Sequence, residues 1–555
     1  MNFKLRSLVA ATLAGSMLMG FGANAMADST DDILNALIAK GILTEEEGAL
    51  LQKGRTGEKE AAAAKKSKTP VVKEKDGAFA LESADGANSV QLTGRMHFDY
   101  RNSDINDLGN TGVLNSKTDV DSKTIADQYE LRRARIGVKG KLAKDFKYEV
   151  VVNLPGTATL DVAYLDFAHY EQAQLRFGKF KQPFGLEQLT SSNNIDFMER
   201  SYVDQFVPAK KMGVMLMGSP VSAMTYAGSA YQMNDTELDM DSDKPSYAGR
   251  VTYNFAEAFG NKEMVAHVGL SGFDAEYSLL PATTGNTSTA ADGKTRASIV
   301  SIRSGGRGLG NMYRAQIGGE TKNTIGSGFE SAYHLGQSNT AQVDSKAYGL
   351  EGILAYGPFK VQGEYLNNDV KGTYRDSTVT SDVNAFYAEA LWLVTGEKYA
   401  DFYKNGAFGG IKPKNSLDLE TGKGGWGALE LGFRFDQVEA DSTIQNGTTG
   451  LLAGTFLTNS RVQGSTPNKN TGSLDTCSSS TSGALKDCGK GGAKSYTAGL
   501  KWILNPNVLF KLNYTHTKFD QAFAPIDVGV TRTVAQGTTT VDSEDLIMLR
   551  GQFAF

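Results

Sequence analysis

Apolar and polar residues alternate with a period of two in segment after segment from about Asn88 to Phe555, and that pattern constrains this chain more than any other feature. Successive side chains of an extended strand point to opposite faces, so an alternating run carries one apolar surface and one polar surface. Val90, Leu92, Gly94, Met96, Phe98 and Tyr100 share one face, while Gln91, Thr93, Arg95, His97, Asp99 and Arg101 share the other. Leu429, Leu431, Phe433 and Phe435 alternate with Glu430, Gly432, Arg434 and Asp436. Val508, Phe510, Leu512 and Tyr514 alternate with Leu509, Lys511, Asn513 and Thr515. Ile547, Leu549, Gly551, Phe553 and Phe555 alternate with Met548, Arg550, Gln552 and Ala554. Segments of this kind are parted by loops rich in Gly, Asn, Asp and Ser.

The N-terminus says where such strands would operate. Lys4 and Arg6 precede an apolar run from Leu8 to Ala23, and Ala25-Met26-Ala27 offers small residues for cleavage before Asp28. This is the pattern of a secretory signal peptide over residues 1–27. Beyond Ala27 no stretch approaches 18 consecutive apolar residues, so a transmembrane helix is not expected. An exported membrane chain without such a helix must span as a closed barrel, because lipid leaves no partner for an open strand edge. A soluble sandwich also alternates, but it would not usually finish its last strand on an aromatic residue such as Phe555. The expected fold is therefore all-β and transmembrane, an antiparallel outer-membrane barrel occupying residues 88–555. With 555 residues, a soluble chain would divide into several domains, whereas this texture is uniform.

Two smaller pieces precede the barrel. Ile33, Leu34, Leu37, Ile38, Ile42, Leu43, Leu50 and Leu51 recur near helical spacing, and Thr44-Glu45-Glu46-Glu47 resembles a capping box after Gly41. Residues 28–57 are thus expected to form a short periplasmic helical segment, which packs in an oligomer or as a local hairpin. Residues 58–87, rich in Ala, Lys and Glu at their start, read as a polar tether. Cys477 and Cys488, in a loop rich in Ser, Gly and Lys, are a disulfide candidate; a metal site would need companion His or Cys residues that are absent nearby.

Asn505-Pro506-Asn507 and Tyr356-Gly357-Pro358 read as tight turns at the periplasmic end. The stretches 274–310, 439–494 and 519–540 are long and polar, as outer loops are. About five strands fit before Phe180, and a long excursion from Lys181 to Lys210 follows. In porins the loop after the fifth strand commonly folds inward and narrows the channel. A count over the whole chain reaches 18 strands, with the region 311–338 ambiguous.

Leu131-Arg132-Arg133-Ala134-Arg135-Ile136-Gly137 precedes Leu175 through Glu187 (LRFGKFKQPFGLE), followed by Glu199-Arg200-Ser201 and Lys211-Met212-Gly213. Ala385-Phe386-Tyr387, Thr395-Gly396-Glu397, Trp426 through Arg434 and the Asn505-Pro506-Asn507 turn come next. In order and spacing this chain resembles the phosphate-selective porins, the O/P porins, from residue 88 onward. The resemblance implies a homotrimer of 16-stranded barrels, a periplasmic N-terminal segment, and pores lined by Arg and Lys that draw phosphate or polyphosphate through. Sixteen strands are therefore expected, with 18 as the alternative count.

Phosphate moves best past a chain of weak cationic sites, and Arg suits this because its planar fork stays charged and binds phosphate at two points. By alternation, Arg95, Arg133, Arg135, Lys139, Lys141, Arg176 and Arg250 face the lumen. Lys179, Lys181, Arg200, Lys210 and Lys211 flank or occupy the constriction loop. The expected anion pathway comprises Arg95, Arg133, Arg135, Lys139, Arg176, Lys179, Lys181, Arg200, Lys210, Lys211 and Arg250. Against it stand Asp99, Glu149, Glu187, Glu364, Glu430 and Asp436, also lumenal or near the loop; a mixed lining would make a general diffusion pore. Arg132 falls on the apolar face, where a membrane interface or subunit contact near Glu130 would hold it.

Enzymatic readings lack support. The five histidines, His97, His169, His267, His334 and His516, lie in no recognisable catalytic motif. No catalytic residue, cofactor, metal or nucleic acid is expected; the partners are small anions, outer-membrane lipid and other copies of the chain. A structural tether acting through the N-terminal helix is the alternative of a different class.

Overall fold

The structure is a computed structural model that describes Glu46 and residues 69–75, 78–107, 128–233, 244–279, 294–305, 311–321, 341–374, 377–419, 425–445, 456–459, 490–523 and 541–555. The expected signal peptide, all of the expected helical segment but Glu46, and His334, Cys477 and Cys488 lie outside the described residues.

Sixteen antiparallel strands close into a barrel. They are β1 Ser89–Asp107, β2 Gln128–Leu142, β3 Phe146–Asn153, β4 Thr159–Tyr170, β5 Ala173–Lys181, β6 Lys210–Gly218, β7 Met224–Tyr231 and β8 Ser246–Asn254. The second half is β9 Met264–Leu279, β10 Ala341–Tyr356, β11 Phe359–Tyr374, β12 Ser377–Leu393, β13 Ala428–Gln445, β14 Lys490–Asn505, β15 Val508–Phe523 and β16 Val541–Ala554. Each strand pairs with its neighbours in sequence, and β16 pairs back onto β1 through Leu549↔Tyr100 and Ala554↔Arg95. Closure satisfies every strand edge, as the hydrocarbon core requires. Ala78–Glu82, within the segment read as a tether, is a strand that pairs with the start of β1 through Ala80↔Gln91.

The alternation read from sequence becomes the two faces of the wall. Leu92, Met96 and Phe98 are exposed on the outside, while Gln91, His97, Asp99 and Arg101 are buried inside. Phe433 and Phe510 lie outside, and Arg434 and Lys511 inside. Aromatic rings gather in two outer belts, as lipid headgroup levels favour. Phe359 and Trp392 stack at 6.0 Å near one rim, and the Phe386–Phe435–Tyr496 series, at 5.4 and 5.2 Å, lies towards the other.

The alternative count of 18 exceeds the barrel by two: the ambiguous region holds Asn311–Thr321, which lies outside the wall, and the stretch expected to be an outer loop holds Lys294–Arg303, a strand paired with it. Lys294–Arg303 and Asn311–Thr321 form a hairpin joined by Phe456–Asn459 into a separate three-stranded sheet. Ile302, Tyr313 and Ala315 pack with Val343, Val379, Val383 and Val438, so the hairpin lies against the lumenal side of β10, β12 and β13.

The seam depends on one glycine. The Gly94 N–H donates to the Phe555 carbonyl at 2.9 Å, and the Phe555 N–H returns to the Gly94 carbonyl at 3.0 Å. A Cβ on residue 94 would lie 2.4 Å from the Phe555 ring. Gly94→Val should therefore weaken closure by about 1–3 kcal/mol. The expected readout is a lower midpoint for loss of the heat-modifiable folded band in gel electrophoresis; an unchanged midpoint would show that the ring moves aside freely.

Candidate functional site

The 28 residues between β5 and β6, 182–209, fold into the lumen as the constriction loop expected from sequence. A single helical turn, α1 Leu186–Leu189, and a 3-10 turn, Tyr202–Phe206, shape it. The loop is pinned along its length by charged groups from the far wall. The Glu364 carboxylate of β11 accepts the N–H groups of Leu186 and Glu187 at 2.7 and 2.6 Å. Asp436 of β13 accepts the Tyr202 N–H, and Glu187 accepts the N–H and hydroxyl of Ser201 at 2.8 and 2.6 Å. Asp196 lies between Lys360 of β11 and Lys501 of β14, at 2.8 and 3.0 Å. Burial acts most strongly on Asp196 and opposes its charge, but the two lysines together outweigh it and hold the carboxyl below the usual range. Lys511 Nζ donates to the Ile195 and Phe197 carbonyls, and Arg550 to that of Met198 at 2.9 Å.

A second narrowing comes from the opposite end. The connection between β12 and β13, described over 394–419 and 425–427, emerges at the rim where β1 begins. Unlike the tight turns at Tyr356-Gly357-Pro358 and Asn505-Pro506-Asn507, this connection carries a hairpin, Tyr403–Lys404 and Ala407–Phe408, into the lumen. Its two-residue tip, Asn405 at φ 52° and Gly406 at φ 76°, has both residues in the left-handed region that a tight hairpin turn needs. Arg250 Nη2 donates to the Gly406 carbonyl at 2.9 Å, and Tyr403 bonds His267 at 2.7 Å.

Between the loop, this tip and strands β1–β8 runs a cavity of about 1020 Å³. Ten basic side chains line it: Arg95, Arg132, Arg133, Arg135, Lys139, Arg176, Lys181, Arg200, Lys210 and Arg250. Three acids do: Glu149, Asp161 and Asp204. Of the eleven residues expected on an anion path, nine are therefore brought together, while Lys179 and Lys211 do not line the cavity.

Arg132 is the residue that alternation misplaced. The β1–β2 register runs His97↔Arg133 and then Phe98↔Leu131, so Arg132 is the extra residue of a β-bulge. A bulge lets neighbouring residues face the same side. Arg132 consequently turns inward beside Arg133 and bonds Glu199 of the loop at 3.2 Å. The expected Glu130 contact belongs instead to Arg101, at 3.5 Å. Two adjacent arginines interrupting an alternating run are the sequence signal of such a bulge.

The ten cations differ in what already holds them. Lys181 donates to the carbonyls of Gln188, Leu189 and Thr190 and serves the loop rather than open water. Arg176 grips Asp166 at 2.6 and 2.8 Å and lies 3.8 Å over the Tyr164 ring. Arg135 and Lys210 share Asp161, at 3.0 and 2.5 Å. Arg250 pairs with Glu351, which also bonds His267 at 2.8 Å. Arg200 donates to the Glu187 and Thr190 carbonyls and lies 3.6 Å from Asp204. Arg95 and Arg133 have neutral partners: the Ser192 hydroxyl at 2.9 Å for Arg95 and the His97 ring at 3.5 Å for Arg133. These two, with Lys139, which pairs with no acid among the described residues, keep the most capacity for a mobile anion.

A closed transmembrane β-barrel whose narrowed, water-accessible lumen carries a surplus of fixed cations is a porin-type channel. A profile of the phosphate-selective porins O and P matches residues 90–297 and 330–536, and the chain belongs to that family. It is 26% identical over 471 residues to Porin O of Pseudomonas aeruginosa, covering 81% of this chain and 87% of that protein. Among solved structures, the anion-selective porin of Comamonas acidovorans aligns with 84% of this chain and 100% of its own, at 11% identity and TM-score 0.42. The outer-membrane channel DcaP of Acinetobacter baumannii aligns with 84% and 98%, at 11% identity and TM-score 0.40. The family places the chain in the outer membrane of a Gram-negative bacterium.

Two outcomes follow from the anchors and the lining. Asp196→Asn leaves Lys360 and Lys501 buried with less compensation, so thermal stability should fall by about 3 kcal/mol and open-channel current should become noisier. Burial pushes Asp204 up to about 6, against the pull of Arg200. Lowering pH from 7 to 5 protonates it and removes a negative charge from the lining, so anion preference should rise. Asp204→Asn should raise preference at pH 7 and flatten that rise, both read from the reversal potential under a KCl gradient.

Proposed function

We propose that the chain is an outer-membrane porin forming a water-filled channel for passive uptake of anions, with phosphate or polyphosphate as the favoured cargo. The observation that carries this reading is the lining of the narrowed cavity, with ten basic side chains against three acidic ones. Such an excess in a low-dielectric passage attracts anions and repels cations. The acids that argued for an unselective pore are largely engaged elsewhere. Glu187, Glu364, Glu430 and Asp436 are buried among the loop's anchors, and Asp99 pairs with Arg550 at 2.7 Å. Spaced arginines permit a phosphate to be handed between sites of modest affinity. The family and its Pseudomonas relative support the choice of phosphate.

The proposal includes a homotrimer. Strands β3 and β5–β8 have 8 or 9 residues, against 14 to 19 in β1 and β9–β16. Nine residues, at a rise of about 3.3 Å and a tilt of about 40°, climb only about 23 Å, less than the apolar band of about 25 Å. A wall that low suits contact with another subunit better than lipid. The division into a signal peptide (1–27), helical segment (28–57), tether (58–87) and barrel belongs to the same proposal.

No enzymatic role is proposed. His97 bonds Asn193 of the loop, His169 bonds Asp145, and His516 bonds Asp545. The buried His267–Glu351 pair resembles a catalytic couple but does not line the cavity.

Single-channel recording in planar bilayers tests the reading. An anion-selective current that phosphate blocks is expected. Arg133→Ala and Arg95→Ala should each raise the half-blocking phosphate concentration about tenfold, as loss of one charged hydrogen-bonding site implies. A current indifferent to phosphate in the unmodified protein would leave a general diffusion pore.

A further inference from the structure

Glu199 occupies a singular place in the charge pattern. From the constriction loop its one carboxylate reaches three guanidiniums of the wall: Arg101 at 2.6 Å, Arg132 at 3.2 Å and Arg550 at 3.8 Å. Arg101 and Arg550 have a second acid in Asp99, at 3.4 and 2.7 Å. For Arg132, Glu199 is the acid that pairs with it among the described residues. Arg132 lines the channel cavity and Glu199 does not, so the acid stands behind the arginine and holds it from the side away from the passage.

We propose that Glu199 is a positioning residue that sets how tightly the pore holds a passing anion, by competing with it for the fork of Arg132. An arginine engaged by a carboxylate at two points offers an anion only its remaining donors. An anion must then either accept a weaker hold or displace a carboxylate that the loop keeps in place. Throughput in a pore requires sites strong enough to replace water and weak enough to release. The bulge supplies Arg132 beside Arg133, and Glu199 lowers what the pair would otherwise hold. The inference rests on the anion-channel reading above.

The experiment is phosphate block of single channels in KCl, comparing the unmodified protein with Glu199→Gln, Glu199→Asp, Arg132→Gln and the Glu199→Gln/Arg132→Gln double variant. Asp196, Asp436 and Glu364 still pin the loop in all of them. Glu199→Gln should lower the half-blocking phosphate concentration about fivefold and lengthen each blocking event. In the double variant that gain should vanish, leaving the block of Arg132→Gln alone; a structural role for Glu199 would instead leave the two effects independent. Should Glu199→Gln not assemble, Glu199→Asp carries the test. It keeps the charge but is too short to span Arg101 and Arg132 together, and should lower the half-blocking concentration about twofold. Unchanged or weaker block in the assembled Glu199 variants, with the unmodified pore anion-selective and phosphate-sensitive, overturns this inference. An unmodified pore lacking anion selectivity overturns the channel reading on which it rests.

Discussion

A carboxylate trapped between two lysines, Asp196 with Lys360 and Lys501, is the contact on which the rest of this lumen depends. Charges withdrawn from water are costly unless each finds a partner, and a set that is complete resists losing any member. Glu430 extends the set through Lys501 at 2.6 Å, and Tyr399 extends it to Glu430 at 2.8 Å. The constriction loop is therefore held by an arrangement that has no inexpensive half-open state. A barrel of sixteen strands would otherwise enclose a wide aqueous bore. Fixing one loop turns that bore into a passage narrow enough for side chains on the opposite wall to feel a single solute.

The two walls use the same chemistry for different ends. On β11–β16 seven lumenal charges are buried and committed: Lys360, Glu364, Arg434, Asp436, Lys501, Lys511 and Arg550 all bind the loop or each other. On β1–β8 basic groups outnumber acids around open space. Paired charges on the far side set geometry, and the imbalance on the near side sets the field. The narrowing matters to the second effect, since water screens a fixed charge less when the low-dielectric wall is close.

How much of this could be read from the sequence depends on whether a feature is local. Strand faces were legible because Val90 to Arg101 or Val508 to Thr515 carry their orientation in their own order. The inward loop was legible from its position after the fifth strand. The pair of strands Lys294–Arg303 and Asn311–Thr321 was not legible, because the first lies in a stretch that reads as an outer loop and the adjacent buried residues Ile299–Val300 and Met312–Tyr313 break the period that marks a wall strand. Arg132 was misplaced because a bulge breaks that period by one residue. The lumenal hairpin at Tyr403–Phe408 escaped notice, since nothing within 394–427 announces which way it folds. Charge was visible at Lys181 and Arg250, but their partners, the Gln188 carbonyl and Glu351, lie in other elements, so their commitments were not.

The separation of matched charges on one wall from surplus charges on the other has a consequence for descent. A substitution at Lys139 alters the traffic without touching the supports, whereas one at Lys501 or Asp436 threatens the whole interior. Lineages carrying this barrel are thus free to explore new solutes along one arc while purifying selection guards the other. Divergence should accumulate lopsidedly around the circumference, and a single ancestral scaffold can give rise to channels of different diet.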